Sequence, residues 1–144
     1  MKVKIIDYDH QGRGIAKVYN KVIFIPKVKR GEDVSIKLVK EKKNYSIGKR
    51  CDHLKVKYCP YYQTCGGCQI GHLTYDEQLE FKKNTVKNIF SKYTNYNLEN
   101  IEILKTKRYN YRNKVTFHIK EDKLGYYEEE TNNLIPIDKC NLLD

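Results

Sequence analysis

The sequence predicts an α+β fold that is mainly β with one long helix. Short runs of alternating apolar and polar residues, punctuated by Gly, Asn and Asp, fill the first fifty residues and return in the last third. A single stretch of helical periodicity stands between them, from Thr74 to about Tyr93. Before that helix comes a loop dense in cysteine, Cys59-Pro60-Tyr61-Tyr62-Gln63-Thr64-Cys65-Gly66-Gly67-Cys68. The chain thus divides into a β-barrel over residues 1–50, a cysteine-rich loop over 51–73, and a helix with a small antiparallel sheet over 74–144.

The barrel follows from its strands and turns. Val3 and Ile5 alternate with charged residues like a half-buried strand, and Asp9–Gly14 reads as a turn with two glycines free to take positive φ. Ile15–Tyr19 and Lys21–Ile25 form a hairpin around Asn20, and Pro26–Asp33 is a loop. Val34–Lys40 and Asn44–Gly48 complete five strands without a helix, as in a small closed barrel of the oligonucleotide-binding type. Phe24 alternates with Val22, which places its ring in the core; stacking on a base is the alternative.

After the connector Lys49–Tyr58 and the cysteine loop, Thr74 and Glu77 form a capping box that starts the helix. Tyr75, Leu79, Val86, Phe90 and Tyr93 share one helical face, with Lys82, Lys83 and Lys87 solvated away from it. His72 reads as a packing or hydrogen-bonding residue. The last third predicts strands at Ile101–Thr106, Val115–Lys120, Lys123–Glu128 and Leu134–Ile137, with Gly125 at a turn.

Twenty-eight basic residues against 18 acidic ones give a net charge of +10 and a pI near 9.3. Residues 1–55 hold 15 basic and 6 acidic side chains, so the excess lies in the first third. A polyanion, most simply nucleic acid, is the partner this implies. Arg13, Lys27, Lys29 and Arg30 fall in loops at the barrel rim and are the candidate phosphate contacts. Arg112 and Lys114, interleaved with tyrosines, are a second candidate set; pairing with Glu128, Glu129 and Glu130 is their alternative role.

The N-terminus has no apolar leader and no run approaches the length of a membrane span, so the expected location is the cytoplasm, with no membrane partner. In that reducing setting, clustered thiols point to a metal or an iron–sulfur cluster rather than disulfides. Cys59, Cys65 and Cys68 supply three ligands, and the glycines between them let the backbone wrap a bulky inorganic group. Cys140, 72 residues beyond Cys68, is the best fourth ligand, with Cys51 its competitor. On chemistry alone, zinc and a cubane cluster both remain open.

Two resemblances sharpen this. His10-x-Gly12-x-Gly14-Ile15-Ala16, then Val22-Ile23-Phe24-Ile25-Pro26 and Gly31-Glu32-x-Val34, resemble a TRAM domain, a small RNA-binding β-barrel. Cys59…Cys65-Gly66-Gly67-Cys68-Gln69 with His72, Leu73, Tyr75, Gln78 and Lys82, together with Tyr111-Arg112-Asn113-Lys114 and Gly125-Tyr126-Tyr127, resembles the TRAM-bearing, iron–sulfur RNA (uracil-C5) methyltransferases. The resemblance implies a 4Fe–4S cluster on Cys59, Cys65, Cys68 and Cys140, with no place for Cys51. It also implies base stacking by Tyr126 and an RNA partner, 23S ribosomal rather than transfer RNA, bound by a monomer. In that family S-adenosylmethionine, the nucleophilic cysteine and the base belong to a Rossmann-like domain, and no glycine-rich strand–turn–helix of that kind occurs here. The expectation is therefore the N-terminal portion of a methyltransferase, holding RNA and cluster, without catalytic residues of its own; the alternative is a stand-alone RNA-binding module with a structural zinc or iron–sulfur site.

Overall fold

The computed structural model describes residues 1–54 and 56–144, so Lys55 of the expected connector lies outside the described residues. These residues form two compact units that interleave along the sequence: residues 1–53 with 69–103, and residues 54–68 with 104–144.

The first unit is built on a curled six-stranded sheet. Its strands are β1 (Lys2–Lys4), β2 (Asp7–Tyr8), β3 (Gly14–Val18), β4 (Lys21–Ile25), β5 (Asp33–Glu41) and β6 (Tyr45–Arg50), in the order β1-β5-β6-β4-β3-β2. The expected first strand is broken in two, which makes six strands of the anticipated five. The break has a clear cause. The Ile5 amide donates to the Glu32 carbonyl at 2.9 Å, whereas the next amide, Ile6, donates to Ile15 at 2.8 Å. One short segment thereby serves both edges of the sheet and curls it.

Inside lie Val3, Ile5, Ala16, Ile23, Ile25, Val28, Val34 and Ile36. Burying each large aliphatic side chain contributes about 1.5–3 kcal/mol. The β3–β4 hairpin turns through two residues, not Asn20 alone: Tyr19 (φ 48°) and Asn20 (φ 63°) are both left-handed, the arrangement that matches strand twist. Tyr19 is thus a fully exposed turn residue. Phe24 also departs from its expected core position. Ile23 and Ile25 take the inner face of β4, so period two leaves Phe24 outside, where its ring meets Tyr45 edge-on at 5.7 Å.

The helix α1 spans Tyr75–Tyr93 with both halves of the capping box formed. It docks on the sheet through its first turns: Phe81 meets Tyr8 edge-on at 5.6 Å, and Glu77 pairs with Lys29 at 3.1 Å. Leu79 is buried, but Val86, Phe90 and Tyr93 of the expected apolar face are exposed. His72, just before the helix, places its Nε2 2.9 Å from the Val28 carbonyl.

The second unit carries a three-stranded antiparallel sheet, β7 (His118–Lys120), β8 (Lys123–Tyr127) and β9 (Leu134–Pro136). No strand forms at Ile101–Thr106, and Val115–Phe117 are likewise outside β7. Gly125 is not at a turn; it sits in the middle strand, opposite His118 and Pro136, because a Cβ there would run into the Ile135 backbone. The turn before it uses Glu121 and Asp122, both at positive φ.

Candidate metal centre and nucleic-acid surface

Two backbone tethers assemble the thiol site within the second unit. Residues 59–65 wind through tight turns, with the Cys65 amide donating to Tyr61 at 2.8 Å. The Gly66 amide then donates to the Tyr127 carbonyl at 3.1 Å, which fixes the loop to β8. At the far end, Asn110, Tyr111 and Arg112 donate to the Asn141 and Leu142 carbonyls at 2.8–3.1 Å. The Asn141 side chain donates to the Tyr58 carbonyl, next to Cys59. The β8–β9 hairpin and these bonds carry Cys140 back to the triplet.

The outcome is a small cavity of about 20 Å³ lined by Cys59, Cys65, Cys68 and Cys140. Cys51 belongs to the first unit, is exposed, and does not line it. Burial pushes the Cys68 thiol up to about 11, and Cys140, Cys65 and Cys59 push the same way, while Arg112 opposes them. Four thiols around one cavity are the donor set a soft cation or an iron–sulfur cluster requires, since binding it replaces their protons. Gly67 lines the cavity and presents no side chain to it. Gly67 lies against the Tyr126 ring, and its amide points at the Cys65 Sγ at 3.3 Å. Among the described residues the side chains as they stand form no group of three or more His, Cys, Asp or Glu at ion-binding spacing. The fit therefore rests on the shared cavity and its chemistry.

Two residues expected on RNA line this cavity instead. Arg112 sits beside Cys68, its Nη1 3.4 Å from the Gly67 carbonyl, and Tyr126 packs its ring between Gly67 and Phe117. Spacing along the chain could not show this, because the cavity forms only when β8 meets the cysteine loop. Lys114 remains exposed, two residues beyond Arg112.

In the first unit the rim residues separate. Lys27 is 6% exposed and left-handed, and its carbonyl accepts the Arg50 Nη1 at 2.8 Å; burial takes it out of the exposed basic set. Arg50 is the residue that the sequence reading missed there: buried, it pairs with Glu32 at 2.9 Å and Asp52 at 2.7 Å and pins the loop. Arg13 pairs with Asp9 at 2.7 Å and lays its guanidinium over Phe24, 4.6 Å from the ring centre. Lys29 pairs with Glu77, and Arg30 lies 4.0 Å from Asp7. Both line a groove of about 790 Å³ that also holds four carboxylates, those of Asp7, Asp9, Glu77 and Glu80.

The outer sheet surface carries a further set of lysines, with Asp33 opposite Lys4. Lys2 and Lys4 alternate with buried Val3 on β1, and Lys37 alternates with buried Ile36 on β5, directly opposite Lys49 of β6. Like charges so placed repel. A polyanion laid across them relieves that repulsion. The alternation of lysine with inward residues in these strands was the available signal.

Residues 1–50 match the TRAM domain family. Along nearly its whole length the chain is similar to proteins named uncharacterized RNA methyltransferases. One from Clostridium acetobutylicum is 36% identical over 99% of this chain and 34% of the relative. One from Staphylococcus epidermidis is 35% identical over 98% and 34%, and one from Staphylococcus aureus strain COL is 32% identical over 97% and 34%. The chain spans about a third of the length of these relatives.

Proposed function

We propose that this chain, a TRAM-domain protein related along its length to RNA methyltransferases, is the RNA-binding and iron–sulfur portion of an S-adenosylmethionine-dependent methyltransferase acting on uracil C5 of ribosomal RNA. The observation that carries the reading is the cavity lined by Cys59, Cys65, Cys68 and Cys140, in a chain whose first fifty residues are a TRAM domain. The uracil and ribosomal assignments rest on the family resemblance of the cysteine loop and of Tyr111–Lys114.

The four thiolates would hold a 4Fe–4S cluster, which supplies a rigid cross-link between the loop at 59–68 and the chain at 140. The residues around it prepare that role. Gly66 and Gly67 keep the loop close to β8, and Arg112 and Lys139 bring positive charge to a thiolate-rich cavity. Lys2, Lys4, Lys37 and Lys49 supply phosphate contacts that position RNA without reading sequence. Phe24 and Tyr45, with Arg13 over the Phe24 ring, offer a stacking surface for unpaired bases.

Zinc is the second reading, because four thiols are also a complete tetrahedral set for it. Anaerobic purification with iron, sulfide and zinc analysis separates the two. About four irons and four sulfides per chain are expected; one zinc without sulfide overturns the cluster. For RNA, the affinity for an oligoribonucleotide should fall steeply with salt, and a flat salt response overturns phosphate-driven binding.

A further inference from the structure

Tyr126 has a buried hydroxyl with no hydrogen-bond partner among the described residues. A phenol left in that state has lost its water without gaining a partner, which destabilises the fold. Its ring edge lies against Gly67, its ring meets Phe117 at a tilt with 5.1 Å between centroids, and it lines the same cavity as the four thiols. Burial keeps the proton on this phenol, and the Arg112 guanidinium beside it pulls the other way without forming a hydrogen bond of good geometry. The charged residues lining the cavity are Arg112 and Lys139, both cationic, and no carboxylate faces in among the described residues. A neutral occupant has no use for two cations, whereas a thiolate-ligated assembly carries net negative charge and offers sulfur acceptors. An acceptor on the occupant would satisfy the stranded phenol.

We propose that Tyr126 and Arg112 serve this cavity and not RNA: the Tyr126 hydroxyl donates a hydrogen bond to a sulfur of the bound cluster, and Arg112 offsets the cluster's negative charge. The inference rests on the cluster reading above. Hydrogen bonds to sulfur and nearby charge set the reduction potential of such clusters, because both stabilise the more negative, reduced form. Tyr126 and Arg112 are thus positioning residues for the cluster's electronics.

The test compares the full chain with its Tyr126→Phe, Arg112→Gln and Arg112→Lys variants, purified anaerobically. Iron and sulfide content, the midpoint potential by redox titration, and affinity for a single-stranded oligoribonucleotide are measured on each. Tyr126→Phe should keep its cluster and shift the reduced-to-oxidised ratio at fixed potential about tenfold toward oxidised, a fall of about 59 mV for one electron. Arg112→Gln should move it the same way, Arg112→Lys should recover part of the shift, and RNA affinity should stay within about twofold throughout. Unchanged potentials in Tyr126→Phe and Arg112→Gln with intact clusters overturn the inference. So does a tenfold loss of RNA affinity at constant potential, which returns both residues to the RNA surface. If Tyr126→Phe fails to load, the two Arg112 variants decide by the same criterion. A wild-type chain lacking iron and sulfide overturns the cluster reading itself, and is told apart because it appears before any variant is compared.

Discussion

Gly66 donates its amide to the Tyr127 carbonyl, and that same carbonyl blocks any side chain at Gly66. The pair couples loop to strand: only glycine permits the approach that the hydrogen bond requires. Gly66→Ala must push β8 and the loop apart. It should destabilise the second unit by about 1–3 kcal/mol and strip most bound metal. Gly67→Ala is milder, because its Cβ would meet the Tyr126 ring at 3.2 Å and the Cys65 Sγ at 3.4 Å, and a ring can give by a few tenths of an ångström. Metal content and thermal unfolding of the two variants check this ordering; equal loading by both would sink it.

The cysteines should divide four to one. Cys140→Ser should reduce bound iron or zinc to near background, as should changes at Cys59, Cys65 or Cys68, since all four line the same cavity. Cys51→Ser should leave metal content unchanged. Cys51 lies in the other unit, exposed, with its amide bonded to Ser35 at 2.8 Å. Metal analysis of the five single variants reads this directly, and a Cys51 dependence equal to that of Cys140 would refute the assignment.

What could be read in advance was local. The α1 boundaries, from the capping box of Thr74 and Glu77 to Tyr93, follow from short-range hydrogen bonding and emerged as expected. The match of residues 1–50 to the TRAM domain family was likewise legible, because glycine and hydrophobe positions in tight hairpins are set by neighbours a few residues away. Long-range placement was not. Gly125 looked like a turn residue, yet its lack of a side chain answers to Ile135 on the next strand. Arg112 and Tyr126 carry the residue types of an RNA surface, and only the pairing of β8 with the cysteine loop turns them toward the thiols. Lys27 sits in a basic loop, but Arg50 holds that loop by its carbonyl and the side chain goes under.

The Lys37–Lys49 pair predicts opposite effects on two measurements. Their like charges face each other across β5 and β6, so Lys37→Gln should raise stability by a few tenths of a kcal/mol to about 1 kcal/mol. The same change should weaken RNA binding and reduce the slope of log affinity against log salt by about 0.7 for a single strand, because one phosphate fewer is neutralised. Melting temperature and a salt titration with an oligoribonucleotide test it. Stability gained without any change in salt slope would remove this face from the RNA surface.

His72 gives the first unit a pH dependence of definite sign. Burial lowers its proton affinity below the ordinary 6.5, Lys29 and Arg50 add to that, and the Val28 carbonyl and Glu32 oppose. In the unfolded chain the imidazole titrates near 6.5. As pH falls through that value the unfolded state takes up a proton that the folded state refuses, so stability falls with falling pH. Above it both states are neutral and the effect vanishes. One such group gives a slope of at most about 1.4 kcal/mol per pH unit, which continues until the folded imidazole also protonates. His72→Gln keeps a donor for the Val28 carbonyl, 2.9 Å from Nε2 in the native side chain, but has nothing to protonate. Urea unfolding at about pH 7.5 and about pH 5.5, on either side of the unfolded imidazole's titration, should therefore show a clear loss for the native chain and a smaller one for the variant. Equal losses in both would place the pH sensitivity elsewhere.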